Sequence, residues 1–195
     1  MKKIRFTEKS NGFCGCFSGT VGMQEAAIIL TNDDGTDDFL SKVGMKWLNG
    51  MGLAAMAVGP EKGMKGLYSW PLENVENAVR HLKGNGYKKI GICGVSAGSN
   101  MALSAAARIP DITLTIAMTP MDWVYWGYYH DGMDGASERP ADGESSLTWR
   151  GNPFRACPRR GAIRITGIRS GRNPSGAETG SRVWIFIILR RKSTL

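Results

Sequence analysis

Ser96 stands between two glycines, each two residues away, in Gly94-Val95-Ser96-Ala97-Gly98. A serine hydroxyl becomes a useful nucleophile toward a carbonyl when it is presented clear of the backbone, beside amide protons that can take up charge on the oxygen. The G-x-S-x-G spacing meets that need at a sharp strand-to-helix turn. The serine adopts strained backbone angles, and its neighbours at two residues must be small for strand and helix to pass closely. The turn sets Ser96 at a helix N-terminus, where the N–H of Ala97 faces a developing oxyanion. Phosphate binding fits less well, because Gly91, Gly94 and Gly98 do not make G-x-G-x-x-G and no G-K-S/T follows. The plainer reading is a glycine-rich turn closing a buried strand.

The flanking elements favour the chemical reading. Lys88 to Val95 is apolar enough for a strand buried on both faces, and Asn100 to Arg108 reads as a helix. Upstream, Lys3 to Lys9 and Gly12 to Val21 alternate as two short strands joined by a turn at Ser10-Asn11-Gly12. Ala26 to Leu30 is an interior strand running into Thr31-Asn32-Asp33-Asp34-Gly35. Thr36 or Asp37 can cap a helix with Phe39, Leu40, Val43, Trp47, Leu48 and Met51 at helical period. Leu53 to Val58 is the next strand. Pro71 then opens a helix carrying Val75, Ala78, Val79 and Leu82, and Ile112 to Met118 follows as a further strand. Alternating strands and helices imply an α/β fold of three layers, with a mostly parallel sheet between helices. Ligands in such sheets bind beyond the carboxyl ends of the strands, which brings Ser96, the Asn32 loop and Thr119-Pro120-Met121-Asp122 to one rim. A backbone N–H of Asn32 or Asp33 is the natural second oxyanion donor, although that loop can also serve simply as a solvated helix cap.

A chain of 195 residues is one domain on the usual prior, yet short for a complete sheet of this kind. The basic start MKKIRFTEKSNG has no apolar region behind it and no run reaches membrane-spanning length, so a soluble cytoplasmic protein is expected. Cys14, Cys16, Cys93 and Cys157 form neither a C-x-x-C pair nor a zinc set, and free thiols are expected. The net charge of +8 is unevenly spread. Residues 1–149 hold 14 Lys+Arg against 16 Asp+Glu, while residues 150–195 hold 11 against 1. The basic type changes as well, from 10 Lys and 4 Arg before residue 150 to 10 Arg and 1 Lys from residue 150 on. An evolved domain seldom switches in this way without a boundary or an accident.

Three long segments carry a resemblance: FCGCFSGTVGMQEAAIILTNDDG, KKIGICGVSAGSNMALSAAARIPDITLTIAMTPMDW and YYHDGMDGASERPADGESSLTWRGNP. Over about residues 12 to 153 the chain resembles the C-terminal catalytic domain of the bile acid-CoA:amino acid N-acyltransferase and acyl-CoA thioester hydrolase family, a branch of the α/β-hydrolases. The resemblance implies a Ser or Cys nucleophile that takes an acyl group from a thioester, with an Asp/Glu and a His supplied later in the chain. Ser96 matches the nucleophile. Serine there implies hydrolysis more than transfer to an amino acid, because the transferases of the family have cysteine.

The partners are the difficulty. Serine needs a base within hydrogen-bond reach, and the chain has two histidines. His81 reads as a surface residue of the helix before the central strand, at the wrong edge. His130, in Tyr128-Tyr129-His130-Asp131, follows the Ile112 strand in a cap-like loop, but the resemblance does not make it the base. Asp122 is a candidate orienting acid, with a plain rim carboxylate as the alternative. Acid and His in this chain order follow the nucleophile in the final strands, where the sequence turns into GNPFRACPRRGAIRITGIRSGRNPSGAETG. Synonymous codons can be chosen for Ala162 to Gly167, GCC-ATC-CGG-ATT-ACT-GGC, which read one base earlier give R-H-P-D-Y-W. The shifted peptide is similar to what the family carries after its D-G-E-S segment.

The expectations are therefore an α/β-hydrolase core over residues 1–153, incomplete at the C-terminus, and a basic, non-native or disordered tail over 154–195 left by a frame slip near Asn152 to Phe154. Val183 to Leu189 is the one tail run suited to a strand. The expected function is a serine hydrolase acting on a small-molecule acyl-CoA thioester or related ester. Ser96 is the nucleophile, Ala97 and Asn32 or Asp33 hold the oxyanion, and Gly94 and Gly98 form the elbow. No metal or organic cofactor is needed, and neither nucleic acid nor membrane is an expected partner. Turnover should be impaired for want of acid and base. The alternatives are an acyl-CoA acyltransferase, a noncatalytic fragment, and an RNA-binding protein acting through its basic tail.

Overall fold

A computed structural model describes residues 3–19, 25–33, 35–61, 66–120, 124, 127–129, 145–154 and 185–189. In chain order the elements are β1 (Lys3–Phe6), the single-turn α1 (Glu8–Asn11), β2 (Gly15–Ser18), β3 (Ala26–Thr31), α2 (Phe39–Gly50), β4 (Ala54–Val58), β5 (Gly66–Leu67), β6 (Trp70–Pro71) and α3 (Glu73–Gly84). They continue with β7 (Lys89–Val95), α4 (Ala97–Arg108), β8 (Ile112–Met118), β9 (Tyr128–Tyr129), β10 (Leu147–Trp149), β11 (Asn152–Pro153) and β12 (Ile185–Leu189).

The main sheet has the order β1-β2-β4-β3-β7-β8-β12. Its centre, β4, β3, β7 and β8, is parallel, because each strand is joined to the next parallel one through a helix that returns the chain. Strands β1, β2 and β12 are antiparallel to their neighbours. Adjacent residues of β3 point to opposite faces. Ile29 joins Met56, Ile92, Val75 of α3 and Met101 of α4 in the larger core. Ile28 joins Ala55, Ala57 and Met45 and Leu48 of α2 in the smaller one. Two helices thus cover one face and one helix the other. Small pairings lie outside this sheet: β6 with β10, β10 with β11, and β5 with β9.

Several local expectations change. The first strand ends at Phe6, because Thr7 caps a helical turn by accepting from the Ser10 N–H at 3.3 Å and Gly12 closes that turn at φ 72°. Asp38, rather than Thr36 or Asp37, caps α2 by accepting from the Ser41 N–H at 3.0 Å. Pro71 belongs to the bridge of β6 with β10, so α3 starts two residues later. Helix α4 begins at Ala97, directly behind the serine. The residues of α2 that meet the sheet are Ser41, Met45 and Leu48. Its other apolar stripe, at four-residue spacing, faces outward: Phe39 is 75% exposed, Trp47 64%, and Leu40, Val43 and Met51 about half. The helix carries apolar residues on two sides, and periodicity alone does not say which side finds the sheet.

Of the tail, Phe154 and residues 185–189 are described. Phe154 packs against the core under the Arg108 guanidinium, 4.1 Å from its ring centroid. Ile185–Leu189 forms β12, pairing antiparallel with β8 along Leu114 to Met118. The rest of the tail, including Cys157, lies outside the described residues. No described helix is long and apolar enough to cross a membrane.

Candidate active site

Strands β3, β7 and β8 end together, since their register sets Thr31 beside Gly94, and Val95 beside Met118. Beyond these ends the chain turns at Ser96, with φ 51° and ψ −119°. This is a conformation that costs a non-glycine residue about 1–3 kcal/mol and persists only where its surroundings impose it. Here they do. The Ser96 N–H donates to the Met118 carbonyl at 3.0 Å, and the Ser99 N–H donates to the Ser96 carbonyl at 2.9 Å. The fully buried Ser99 hydroxyl lies 2.8 Å from the Gly94 carbonyl and 2.7 Å from that of Met118. The Ser96 side chain is exposed and makes no capping bond to α4. A glycine at this position loses the strain along with the hydroxyl. Ser96→Gly should therefore raise unfolding stability by about 1 kcal/mol, seen as a higher urea midpoint at unchanged slope. A lower midpoint would show that the angles are not strained.

Gly94 and Gly98 have the close approach inferred for them. A Cβ on Gly94 would fall on the Gly98 carbonyl, and one on Gly98 would fall on the Thr31 carbonyl, both far inside van der Waals contact. The loop after β3 is also held from its other side, because a Cβ on Gly59 would strike the Asn32 carbonyl. In a trans peptide the carbonyl and the following N–H point opposite ways. The Thr31 carbonyl abuts α4, so the Asn32 N–H turns away from α4. The Asn32 carbonyl abuts Gly59, on the β4 side, so the Asp33 N–H turns toward β7 and its elbow. Of the two candidate donors, this peptide-plane argument favours Asp33. Asn32 itself is buried, and its side chain helps Asp38. Burial pushes the Asp38 carboxyl up, but hydrogen bonds from Ser41, Asn32 and the Leu40 backbone outweigh it and hold the group below the usual carboxylate range.

Cys93 lies two residues before the end of β7 and is half-buried. Burial pushes its thiol up to about 11, which keeps it protonated near neutral pH. His81 lies in the last turn of α3. It is half-buried rather than a plain surface residue, with its ring 4.7 Å from that of Phe6 and 6.1 Å from that of Phe13. Burial lowers its pKa, which disfavours the charged form. His81 is the one histidine among the described residues, and its ring contacts are with Phe6 and Phe13. His130 and Asp122 lie outside the described residues. Thr119, at φ 49°, directly follows β8 and its hydroxyl donates to the Met118 carbonyl at 2.7 Å. Sequence reading missed Thr31 and Ser99 as supports of the turn; a hydroxyl residue ending an otherwise apolar strand was the available signal.

No family model matches the chain, and no curated protein does. Solved structures similar to it include DcsB in complex with its substrate analogue, at 19% identity over 58% of this chain and 42% of that one, TM-score 0.48. The α/β hydrolase GrgF from Penicillium sp. sh18 is similar at 17% identity over 64% and 46%, TM-score 0.46. An esterase of the bacterial hormone-sensitive lipase family follows at 18% over 61% and 43%, TM-score 0.43. The matched part spans less than half the length of each of these chains. The strand order, the parallel centre and the serine turn between β7 and α4 make this chain a partial α/β-hydrolase fold.

Proposed function

We propose that this chain is the core of a serine hydrolase acting on acyl-CoA thioesters or related esters, with Ser96 as nucleophile. The observation that carries the reading is the exposed Ser96 at φ 51°, held between the ends of β7 and β8 at the start of α4. In the reaction Ser96 Oγ bonds to the acyl carbon while its proton passes to a base. The carbonyl oxygen, now negative, accepts from the N–H groups of Ala97 and Asp33, and the thiol or alcohol leaves with a proton. Water then releases the acyl group and restores the hydroxyl. The thioester substrate rests on the resemblance to the bile acid-CoA:amino acid N-acyltransferase and acyl-CoA thioester hydrolase family, and the nucleophile and first donor rest on backbone geometry.

A frame slip would account for a missing base, and the switch from lysine to arginine from residue 150 on supports it. The coding DNA tests it directly. A one-base shift near codons 152–154 should yield R-H-P-D-Y-W, and its absence sinks the slip. The nucleophile is tested by acyl-CoA and p-nitrophenyl ester hydrolysis. The present chain should turn over weakly, at the residual level the oxyanion donors and binding leave, while in a frame-restored chain Ser96→Ala should remove most of the turnover. A restored chain whose turnover is unaffected by Ser96→Ala overturns the reading.

A further inference from the structure

The geometry points to Thr31 as the positioning residue that fixes the gap between the two oxyanion donors, a role that rests on the reading of Ser96 as nucleophile. Thr31 ends a strand whose other residues, Ala26-Ala27-Ile28-Ile29-Leu30, are all apolar. It is 4% exposed, so a valine would suit the burial as well, while a hydroxyl there is costly unless bonded. Its Oγ1 donates to the Gly98 carbonyl at 2.7 Å, with the Cys93 carbonyl farther off at 3.3 Å.

That bond joins the two halves of the site. Gly98 follows Ala97, whose N–H is the first donor, and Thr31 stands two residues before Asp33, whose N–H is the second. The backbone contact between the Thr31 carbonyl and Gly98 sets how near the loop can come to α4, since closer approach is repulsive. A repulsive contact does not stop the two from separating. The hydroxyl does, because a hydrogen bond weakens as its atoms part. Contact and bond together bound the gap from below and above. An oxyanion must lie about 2.7–3.1 Å from both donors at once, so a gap free to widen loses one of them.

The test uses the full chain and a fluorophosphonate, whose P=O oxygen occupies the oxyanion position as Ser96 Oγ bonds to phosphorus, fluoride leaves and the hydroxyl proton passes to solvent. Labelling of Ser96 is followed by mass spectrometry over a range of reagent concentrations, giving a half-saturating concentration and a maximal rate. Thr31→Val should lower the maximal rate about tenfold, part of the 10²- to 10³-fold that follows loss of a whole donor, with half-saturation unchanged. Thr31→Ser, which keeps the hydroxyl, should stay within about twofold of wild type. Thr31→Ala repeats the test if the valine variant does not fold. A valine or alanine variant labelled at the wild-type rate overturns the role of Thr31 while leaving Ser96 in place. Equal slowing by serine and valine overturns it too, since packing then explains the loss. If the wild-type chain is labelled too slowly to measure, the same series is read in the frame-restored chain, and a restored chain that is not labelled at Ser96 overturns the role together with the reading beneath it.

Discussion

Gly98→Ala should lower the stability of this protein by about 3 kcal/mol or more, above the 1–3 kcal/mol usual for overpacking. The new methyl would meet the Thr31 carbonyl, with the carbonyl carbon 2.9 Å and the Asn32 Cα 3.4 Å away. A flexible side chain could swing aside, but backbone in the middle of a parallel sheet cannot move without breaking its pairing. Gly94→Ala should cost as much, since the Ser99 amide nitrogen lies 2.7 Å from its added Cβ. Gly50, the last residue of α2, has nothing within 4 Å of an added Cβ. There alanine should stabilise by about 0.5–1 kcal/mol through its helix propensity. Urea unfolding of the three variants reads all of this. A Gly98→Ala midpoint level with that of Gly50→Ala would mean the close approach is not real.

The elbow was legible in the sequence because its cause is local. Only glycine lets two backbone segments touch, and the pattern names both touching points. The strand Ile112–Met118 was legible for a similar reason, being an apolar run between clear breaks. What escaped was set by distant residues. Pro71 pairs with Thr148, far along the chain, and nothing near Pro71 announces that. The cap of α2 was missed by one residue because Thr36, Asp37 and Asp38 all carry capping oxygens. Asp37 is instead drawn to Arg5, at 2.9 Å. The choice between Asn32 and Asp33 depended on which way two peptide planes face, which residue types do not encode.

A chain restored to the shifted frame should hydrolyse p-nitrophenyl esters and acyl-CoA about 10² to 10⁴ times faster than the present one, the range a positioned general base contributes. The argument is one of proton inventory. Ser96 already has its turn geometry, so on the proposed reading, in which the Ala97 and Asp33 amides hold the oxyanion, binding and charge stabilisation should survive in the present chain. Such remnants give about 10³ to 10⁴ over water when a triad member is lost. What the proposed frame slip removes is a group to accept the hydroxyl proton. The restored chain's rate should therefore rise with pH through about 6.5, the ordinary histidine value, as the imidazole sheds its proton and becomes able to take that of serine. The present chain's residual rate should show no inflection there. Equal rates for the two chains, both lost in Ser96→Ala, would mean that a base already lies within the present sequence.

The uncovered side of α2 ties this molecule's endurance to its company. A ligand that recognises Phe39 and Trp47 only as the folded helix presents them adds to folding free energy by mass action, whereas one that prefers the apolar residues of the unfolded chain, as a holdase chaperone does, subtracts from it. The temperature at which the protein melts is then a property of the mixture it is kept in as much as of its own contacts.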